Sequence, residues 1–445
     1  MGKYQGYDKY KDSGVEWLGE IPQHWKSLKI KRLTVIKRGA SPRPIDDPKY
    51  FDDDGEYAWV RIADVTASER YLQTTTQKLS ELGKSFSVPL EPGQLFLSIA
   101  GSVGKPIITK IKCCIHDGFV YFPDLKVNQE FIYYIFYSGQ PYLGLGKMGT
   151  QLNLNTETVG GITIGFPPLE EQEKIARFLD YKTKQIDELI AKKETLIEKL
   201  DEKRTSLISH AVTKGLDVNV SMKDSGIEWL GAIPEHWEVK RLRYTGFCQN
   251  GISKGADYFG FGYPFVNYTD VYANPELPKI VNGLANSTDE DRINYSVQTG
   301  DIFFTRTSET IEEIGITSTC LQSIDNATFS GFLIRVRPFA NLIFPGFSKY
   351  YFRCQLHRFF FVKEMNLVTR ASLSQELLKK LPVLLPPLQE QQKIAEYLDQ
   401  KTAQIEEQKT KIQQAIDLLK EYRTALITNA VTGKIDVRKI TIPKI

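Results

Sequence analysis

The candidates for chemistry in this chain are cations, amides and hydroxyls that cluster in glycine-rich loops between short apolar runs. Arg and Lys can reach DNA phosphates or the O6 and N7 atoms of guanine, and Asn and Gln can pair with the edge of adenine. The pattern predicts a DNA-contacting set in each half of the chain, with an ordinary solvated loop residue as the alternative for any single member. The candidates are Lys37, Arg38, Arg43, Arg61, Ser102, Lys105, Lys147, Gln151, Asn153 and Asn155 in the first half, and Asn250, Lys254, Asn267, Arg306, Thr307, Ser308, Arg370 and Ser372 in the second.

The sequence does not contain a complete catalytic or nucleotide-binding motif of the kinds considered below. The run Gly144–Gly149 matches the dinucleotide-binding pattern G-x-G-x-x-G, but a polar loop follows where a helix should begin. Pro141 and Met148 take the places of the first Gly and of the Ser or Thr in a Walker A motif. The segments 166–169 and 385–388 lack the Asn or Asp and the aromatic residue with which amino-methyltransferases hold a flipped base. We therefore predict no catalytic residue in this chain.

Metal and disulfide chemistry are not indicated either. The five cysteines form no C-x-x-C pair and are odd in number, which argues against a thiolate zinc site and a disulfide framework. His24 and His236 have no second ligand at a helical or hairpin spacing, so we expect them to pack or hydrogen-bond within the scaffold. The tryptophans beside them are either packing anchors or part of a partner-binding surface.

The scaffold that must position the loops occurs twice in the chain. Lys11–Trp25 returns as Lys223–Trp237 with 12 of 15 positions identical, and we call these two segments the tryptophan motifs. Pro167–Leu179 returns as Pro386–Leu398. The repeats divide the chain into a domain at 1–166, a long helix at 167–215, a second domain at 216–385, and a second long helix with a tail at 386–445.

Composition limits the class of protein. A length of 445 residues exceeds one ordinary core, and 41% hydrophobic with 25% charged residues is typical of packed domains. A net charge of +3 excludes a general attraction to nucleic acid, so phosphate contacts must come from local clusters. No apolar run approaches the ~20 residues that span a bilayer, and the first residues do not resemble a signal peptide. We expect a cytoplasmic protein.

The two helical segments predict a coiled coil. No Gly or Pro occurs from Leu169 to Lys214, and Gly215 and Gly433 are expected to stop the helices. Apolar residues at heptad spacing predict antiparallel pairing, interrupted at Lys193, with an ordinary helical hairpin in one core as the alternative. The predicted seam is Leu179, Ile186, Leu200, Leu207, Leu398, Ile405, Ile412, Leu419 and Leu426, with Ile175, Leu189 and Leu196 on the adjoining track.

The inserts between the repeats read as short strands separated by turns, with aromatic helices at 129–138 and 346–361. Strand-like runs at 57–62, 94–99 and 118–122 have counterparts at 263–268, 301–305 and 331–336. Trp59–Asp64 aligns with Phe265–Asp270, which indicates a shared fold, whereas the surrounding loops differ in length and chemistry. The common part is interpreted as scaffold and the variable loops as determinants of specificity.

The tryptophan motifs, the proline-headed helices and the alternation of β-rich insert with long helix closely resemble the specificity subunits of type I restriction-modification systems. The resemblance covers about Lys11 to Val437. It implies an α+β fold in which two globular β-rich target recognition domains are separated by two long helices forming an antiparallel coiled coil, with an internal pseudo-twofold repeat. Each domain would read one half of a bipartite target on double-stranded DNA, and the helices would set the unread spacer.

The same resemblance implies partners and cofactors. Such a subunit is not an enzyme, and it docks two methyltransferase subunits and then restriction and translocase subunits. The assembled complex would use S-adenosylmethionine, ATP and Mg²⁺, none of them bound by this chain.

Two other classes of protein are the alternatives. One is a self-contained DNA endonuclease, for which Asp64 and its aligned Asp270 would be the candidate carboxylates, although turn residues of the scaffold are the simpler interpretation. The other is a coiled-coil interaction protein without nucleic-acid binding, which predicts no salt-dependent affinity for DNA.

Overall fold

A computed structural model describes residues 4–143, 145, 154–308, 313–364 and 371–443. The chain divides into unit 1, Met1–Lys193 with Gln414–Ile445, and unit 2, Glu194–Gln413. The division passes through both long helices, so each unit holds one β-rich domain together with one part of each helix.

The β-rich domain of unit 1 alternates short strands with short helices. Its strands are β1 (Tyr10–Asp12), β2 (Glu20–Pro22), β3 (Lys26–Lys29), β4 (Lys37–Arg38), β5 (Tyr57–Val60), β6 (Tyr71–Leu72), β7 (Gln77–Leu79), β8 (Val88–Leu90), β9 (Leu95–Ser98), β10 (Pro106–Thr109), β11 (Cys113–Ile115), β12 (Phe119–Tyr121) and β13 (Thr163–Phe166). Its helices are α1 (Ile62–Ala67), α2 (Glu81–Ser85), α3 (Gln129–Tyr137) and α4 (Thr156–Gly161), and the first long helix, α5 (Leu169–Lys214), follows.

Two sheets hold the core of unit 1. One has the strand order β4-β12-β9-β10-β6 and the other β7-β5-β11-β8. Residues such as Val60, Phe96, Ile115 and Phe119 are fully buried between them, because these strands present apolar side chains at nearly every position.

The β-rich domain of unit 2 has corresponding elements. Its strands are β14 (Met222–Asp224), β15 (Ala232–Pro234), β16 (Glu238–Arg241), β17 (Gly246–Asn250), β18 (Phe259–Val266), β19 (Leu284–Ala285), β20 (Ile302–Thr305), β21 (Thr307–Ser308), β22 (Thr317–Thr319), β23 (Thr328–Phe329), β24 (Leu333–Pro338), β25 (Ala371–Ser372) and β26 (Pro382–Leu385). Its helices are α6 (Tyr268–Ala273), α7 (Asp289–Asn294), α8 (Pro345–Tyr351), α9 (His357–Glu364) and α10 (Gln375–Leu378), followed by the second long helix, α11 (Leu388–Val431).

The two domains share their strand registers. In unit 1, Ser98 pairs with Phe119, and in unit 2 Thr305 pairs with Leu333. The parallel pairing of β5 with β11 is matched by that of β18 with β23. Backbone pairing therefore fixes which positions are equivalent where the sequences have diverged.

The long helices end as predicted and run antiparallel. Gly215 and Gly433 have φ values of +79° and +74°, the left-handed conformation that terminates a helix. In unit 2, Lys409 Nζ on α11 lies 2.7 Å from Asp201 Oδ1 on α5. Three residues later on α5, Arg204 Nε lies 3.7 Å from Glu406 Oε1, which is three residues earlier on α11. Contacts that advance along one helix and retreat along the other show that the helices are antiparallel. In unit 1, Arg423 Nε lies 2.9 Å from Asp187 Oδ1.

All nine residues of the predicted seam are buried or half-buried. Leu179 and Leu398 are fully buried, and Leu207, Ile412 and Leu419 are half-buried. The placement of Leu189 and Leu196 on the adjoining track was wrong, because they are 43% and 48% exposed. The helix turns 100° per residue, and Ile190 and Ile197 take the inward positions one residue later. Lys193 is half-buried at the interruption.

The tryptophan motifs anchor each domain to the first turn of a long helix. Trp25 and Trp237 are fully buried. His24 Nε2 lies 2.8 Å from Glu171 Oε2 in α5, and His236 Nε2 lies 2.7 Å from Glu390 Oε2 in α11. The repeated histidines thus hydrogen-bond to the repeated glutamates, which gives them the scaffold role expected from their sequence.

The predicted aromatic helix at 346–361 is instead two helices. α8 ends at Tyr351 and α9 begins at His357. Between them Arg353 donates hydrogen bonds to the carbonyls of Tyr272 and Thr317, at 2.8 and 2.6 Å. These tertiary contacts hold the chain in place between the two helices.

Burial of His357 predicts that stability falls in mild acid. His357 is 2% exposed among the rings of Trp229, Tyr351 and Phe352, and burial lowers its pKa from 6.5 to about 3. The unfolded chain binds a proton below about pH 6.5 and the folded chain does not, so stability is lost as the pH falls from 6.5 toward 3. We expect His357→Phe to remove about 2 kcal/mol of this loss at pH 5.

The check is the unfolding free energy of both proteins at pH 7.5 and pH 5. His210→Gln, at an exposed position, should leave the acid sensitivity of the wild-type chain unchanged. An equal pH dependence in His357→Phe and wild type would contradict the prediction.

Candidate nucleic-acid interface

Four segments of unit 1 meet at one edge of its sheets, which we call the first loop edge: 37–43, 61–66, 98–105 and 116–118. Ile99 N donates to Gly118 O at 2.8 Å, and Ala40 N donates to Ile115 O at 3.1 Å. A Cβ at Gly101, where φ is +68°, would lie 2.6 Å from Ile62 Cγ2, so glycine is needed for this approach of loop to helix. Loops far apart in sequence therefore form one surface.

Asp117 organises the cations at this edge. Arg38 Nε donates to its carbonyl, Ser41 Oγ donates to Oδ1 at 3.1 Å, and Arg43 Nη2 lies 3.3 Å from Oδ2. Burial would raise the pKa of Asp117, but the hydrogen bond from Ser41 and the charges of Arg38 and Arg43 lower it below its ordinary value. Both guanidiniums are held in position while they stay exposed. Lys37 is also exposed, on β4 beside Arg38.

Arg61 lies at the start of α1. Its backbone N–H donates to Asp64 Oδ2 at 2.8 Å, and its guanidinium donates to Gln77 Oε1. In unit 2 the backbone N–H of Asn267 donates to Asp270 Oδ2 at 2.8 Å, at the start of α6. The two carboxylates considered for an endonuclease are thus helix caps, and this interaction explains why they recur.

Not all of the remaining candidates of the first half lie at the first loop edge. Ser102 Oγ is 2.6 Å from Thr66 Oγ1, and Lys105 Nζ donates to Thr66 O at 3.0 Å. Burial lowers the pKa of Lys105. Asn155 Oδ1 accepts from the backbone N–H groups of residues 157 and 158 and caps α4, while the side chain is exposed. Lys147, Gln151 and Asn153 lie outside the described residues.

Unit 2 builds a corresponding surface, the second loop edge, from segments 250–254, 267–272, 305–308, 330–332 and residue 372. Ile252 N donates to Phe329 O at 2.8 Å, and Gly331 N donates to Ile252 O at 2.8 Å. Arg306 N donates to Phe332 O at 2.9 Å, and its Nη1 donates to Gly331 O at 3.3 Å. Arg306 is therefore partly committed to the loop that it approaches.

The second loop edge carries hydroxyls and aromatic rings. Thr307 pairs with Ser372 across the β21–β25 ribbon, while Ser308 Oγ donates to Glu313 Oε2 at 2.7 Å. Asn250 is half-buried at the end of β17, and the exposed Lys254 lies 5.6 Å from the centre of the Tyr258 ring. Arg370 lies outside the described residues.

Backbone hydrogen bonds identify equivalent positions on the two edges. Gly39 N donates to Phe119 O, as Gly251 N does to Leu333 O, so the preceding Arg38 and Asn250 correspond. Arg61 and Asn267 correspond as the residues before the equivalent helices α1 and α6. At both pairs of positions unit 1 presents a guanidinium where unit 2 presents a carboxamide.

Sequence reasoning missed several residues that shape these edges. Asp117 lies in an Asp-Gly turn between strands, a signal that could have indicated it. Tyr268 and Tyr272 stack at one-turn spacing on α6, with ring centres 5.7 Å apart, and the Tyr272 hydroxyl donates to Glu313 at 3.0 Å. Gln77, which accepts from Arg61, has no local signal.

Within the part of the chain that the structure describes, no group of three or more His, Cys, Asp or Glu side chains could hold a metal ion. Among the same residues, no helix is both long and apolar enough to cross a membrane.

Comparisons with known proteins agree with the repeated architecture. The family model of the type I restriction modification DNA specificity domain matches twice, over residues 22–199 and 234–417. The type I restriction enzyme EcoKI specificity subunit of Escherichia coli K12 is 23% identical over 437 residues, which cover 94% of this chain and 90% of that protein. The MjaVIII specificity subunit of Methanocaldococcus jannaschii is 26% identical over 266 residues, covering 55% of this chain and 57% of that protein.

Two solved structures share the fold. A chain from a study of complex assembly and conformational transition of the type I R-M system has a TM-score of 0.70 at 15% identity, covering 93% of this chain and 99% of its own. The HsdS subunit from Thermoanaerobacter tengcongensis has a TM-score of 0.56 at 16% identity, covering 93% and 98%. At these identities the likeness concerns the fold.

Proposed function

Because this chain belongs to the type I restriction-modification DNA specificity family, we propose that it reads a bipartite target on double-stranded DNA, one half-site with each unit. The chain is a specificity subunit, a recognition component that leaves chemistry on DNA to its partners.

One observation carries the proposal: the same strand framework presents two loop edges with different side chains. At equivalent positions, unit 1 has Arg38 and Arg61, whereas unit 2 has Asn250 and Asn267. Guanidinium suits the O6 and N7 atoms of guanine, and carboxamide suits the N6 and N7 atoms of adenine. The same strand framework, with a guanidinium in one unit and a carboxamide in the other, therefore supports the reading of two half-sites with different sequences.

The partners follow from the same proposal. Two methyltransferase subunits that use S-adenosylmethionine would dock on this chain, and restriction and translocase subunits that use ATP and Mg²⁺ would join them in the cytoplasm. The antiparallel long helices would set the unread spacer, since α5 alone has 46 residues, or about 69 Å at 1.5 Å per residue.

An exchange at one equivalent position should change one base preference. We expect Asn267→Arg to shift the preferred base in the second half-site from adenine to guanine, by about 10- to 100-fold, because a good bidentate pair is worth roughly 1–3 kcal/mol. Binding selection from a randomised duplex library would measure the shift at each target position.

The reciprocal variant is the matched control. Arg61→Asn should alter the first half-site and leave the second unchanged. A uniform loss of affinity over all sequences in Asn267→Arg would instead indicate a phosphate contact at this position and contradict base reading there.

The function itself is tested by mapping methylated sites in the host genome with this gene intact and deleted. Deletion should remove methylation from a single bipartite motif whose two parts are separated by an unspecified spacer. Unchanged methylation at every motif would overturn the proposal.

A further inference from the structure

Unit 2 contains a cavity of about 460 Å³ beside the end of α5. Residues 204–209 of the helix, 273–276 after α6 and 349–355 around the break between α8 and α9 line it. Three of the lining side chains are cationic, namely Arg204, Lys349 and Arg353.

The three cationic side chains differ in how close the nearest carboxylate lies. Lys349 Nζ lies 2.7 Å from Asp399 Oδ1 and 3.9 Å from Glu276 Oε2 on the cavity wall, and Arg204 Nε lies 3.7 Å from Glu406. Arg353 is different, because its bonds go to backbone carbonyls and no carboxylate of the described residues lies within ion-pair distance. Burial lowers the pKa of Arg353, and the positive charge of Arg204 lowers it further. The cavity wall therefore carries a guanidinium without a counter-ion.

The same place in unit 1 provides an internal comparison. Tyr134 donates to Asp180 at 2.7 Å, as Tyr350 does to Asp399 at 2.7 Å, which makes the two aromatic helices equivalent. Three residues after these tyrosines, unit 1 has Tyr137 where unit 2 has Arg353.

The long helices also match at this place. Arg423 of α11 corresponds to Arg204 of α5 in the repeat, and in unit 1 it donates to the hydroxyl of Tyr137 at 2.8 Å. Its Nε lies 2.9 Å from Asp187. Unit 2 has thus replaced a neutral hydrogen-bond acceptor with a second guanidinium, and both guanidiniums line the cavity.

We propose that this cavity binds a small molecule through a phosphate group, which Arg204 and Arg353 hold between them. Arg353 uses Nη1 twice and Nη2 once for carbonyls, so Nε–H and one Nη2 hydrogen stay available. Planar guanidinium groups suit phosphate oxygens, and the volume lies in the range of pockets for molecules of nucleotide size. Arg353 donates to the carbonyls of Val271 and Tyr272, so the cavity adjoins the α6 segment of the second loop edge. The proposal does not depend on the reading of half-sites.

The test is calorimetric titration of the full chain with inorganic phosphate and with adenosine monophosphate, at matched ionic strength in chloride. We expect saturable binding to wild type and a loss of affinity of about tenfold or more in Arg353→Tyr, which copies Tyr137 of unit 1. Arg204→Gln, at a helix surface position, should lose affinity similarly. Lys393→Gln removes one positive charge at an exposed position outside the cavity and should bind like wild type.

The two ligands distinguish the extent of the site. Tighter binding of adenosine monophosphate shows that the cavity holds more than the phosphate, and equal binding shows that the phosphate is the whole ligand. Circular dichroism checks that Arg353→Tyr is folded. If Arg353→Tyr is unfolded, the affinity of Arg204→Gln alone tests the proposal. Absence of saturable binding, or equal binding by wild type and Arg204→Gln, would overturn the proposal.

Discussion

Replacing residues 26–166 with the same segment of another family member should abolish recognition of the first half-site and leave the second intact. The cut points face each other, because β3 pairs with β13 and Lys26 is opposite Phe166. The segment is therefore closed at its base by its own two-stranded sheet, and it carries the whole first loop edge. We expect affinity for the original target to fall about a thousandfold, toward the level of non-specific binding.

The control for this exchange is built into the repeat. β16 pairs with β26, and Glu238 is opposite Leu385, so the segment 238–385 is closed in the same way. Its exchange should alter the second half-site alone, as measured by methylated motifs or by binding selection at fixed salt. Alteration of both half-sites by either single exchange would contradict the assignment of one half-site to each unit.

Removal of one carboxylate should destabilise unit 1 far more than removal of its repeat mate destabilises unit 2. Glu171, 6% exposed, accepts from Tyr7 Oη and from Trp25 Nε1 at 3.0 Å and pairs with His24 at 2.8 Å. Glu171→Ala would leave the buried Tyr7 and Trp25 donors without this acceptor, at an expected cost of about 3–5 kcal/mol.

Glu390→Ala is the matched variant. Glu390 is 27% exposed and pairs with His236, while Trp237 Nε1 has no partner among the described residues. Its loss should cost about 1 kcal/mol. Urea unfolding of the two variants measures both costs, and equal destabilisation would show that the buried network at Glu171 contributes nothing of its own.

The elements with strong local signals could be predicted from sequence. The long helices end at glycines in the left-handed conformation, and strands such as β9 and β20 follow compact apolar runs. The run at 57–62 was predicted as one strand, but it becomes a helix at Ile62 because Asp64 caps the chain there. That cap has a recognisable spacing, and it could have corrected the boundary.

The loop edges could be predicted only as a collection of residues. Arg38 and Asp117 are 79 residues apart, and their contact depends on the pairing of β4 with β12. Asn155 was predicted as a DNA-contacting amide, and in the structure its Oδ1 caps α4, a role that was not predicted from the sequence. The local sequence shows which chemical groups a side chain carries. Whether those groups are free to contact DNA depends on the residues that surround them in the tertiary structure.

The most direct measurement is the affinity of the full chain, alone or together with the proposed methyltransferase subunit, for three duplexes at one salt concentration. One duplex carries the complete bipartite target, and each of the others has one half-site scrambled. We expect the complete target to bind at least about a hundredfold more tightly than either scrambled duplex, because each unit contributes its own base contacts. Equal affinity for all three duplexes would contradict the claim that the two units read two half-sites.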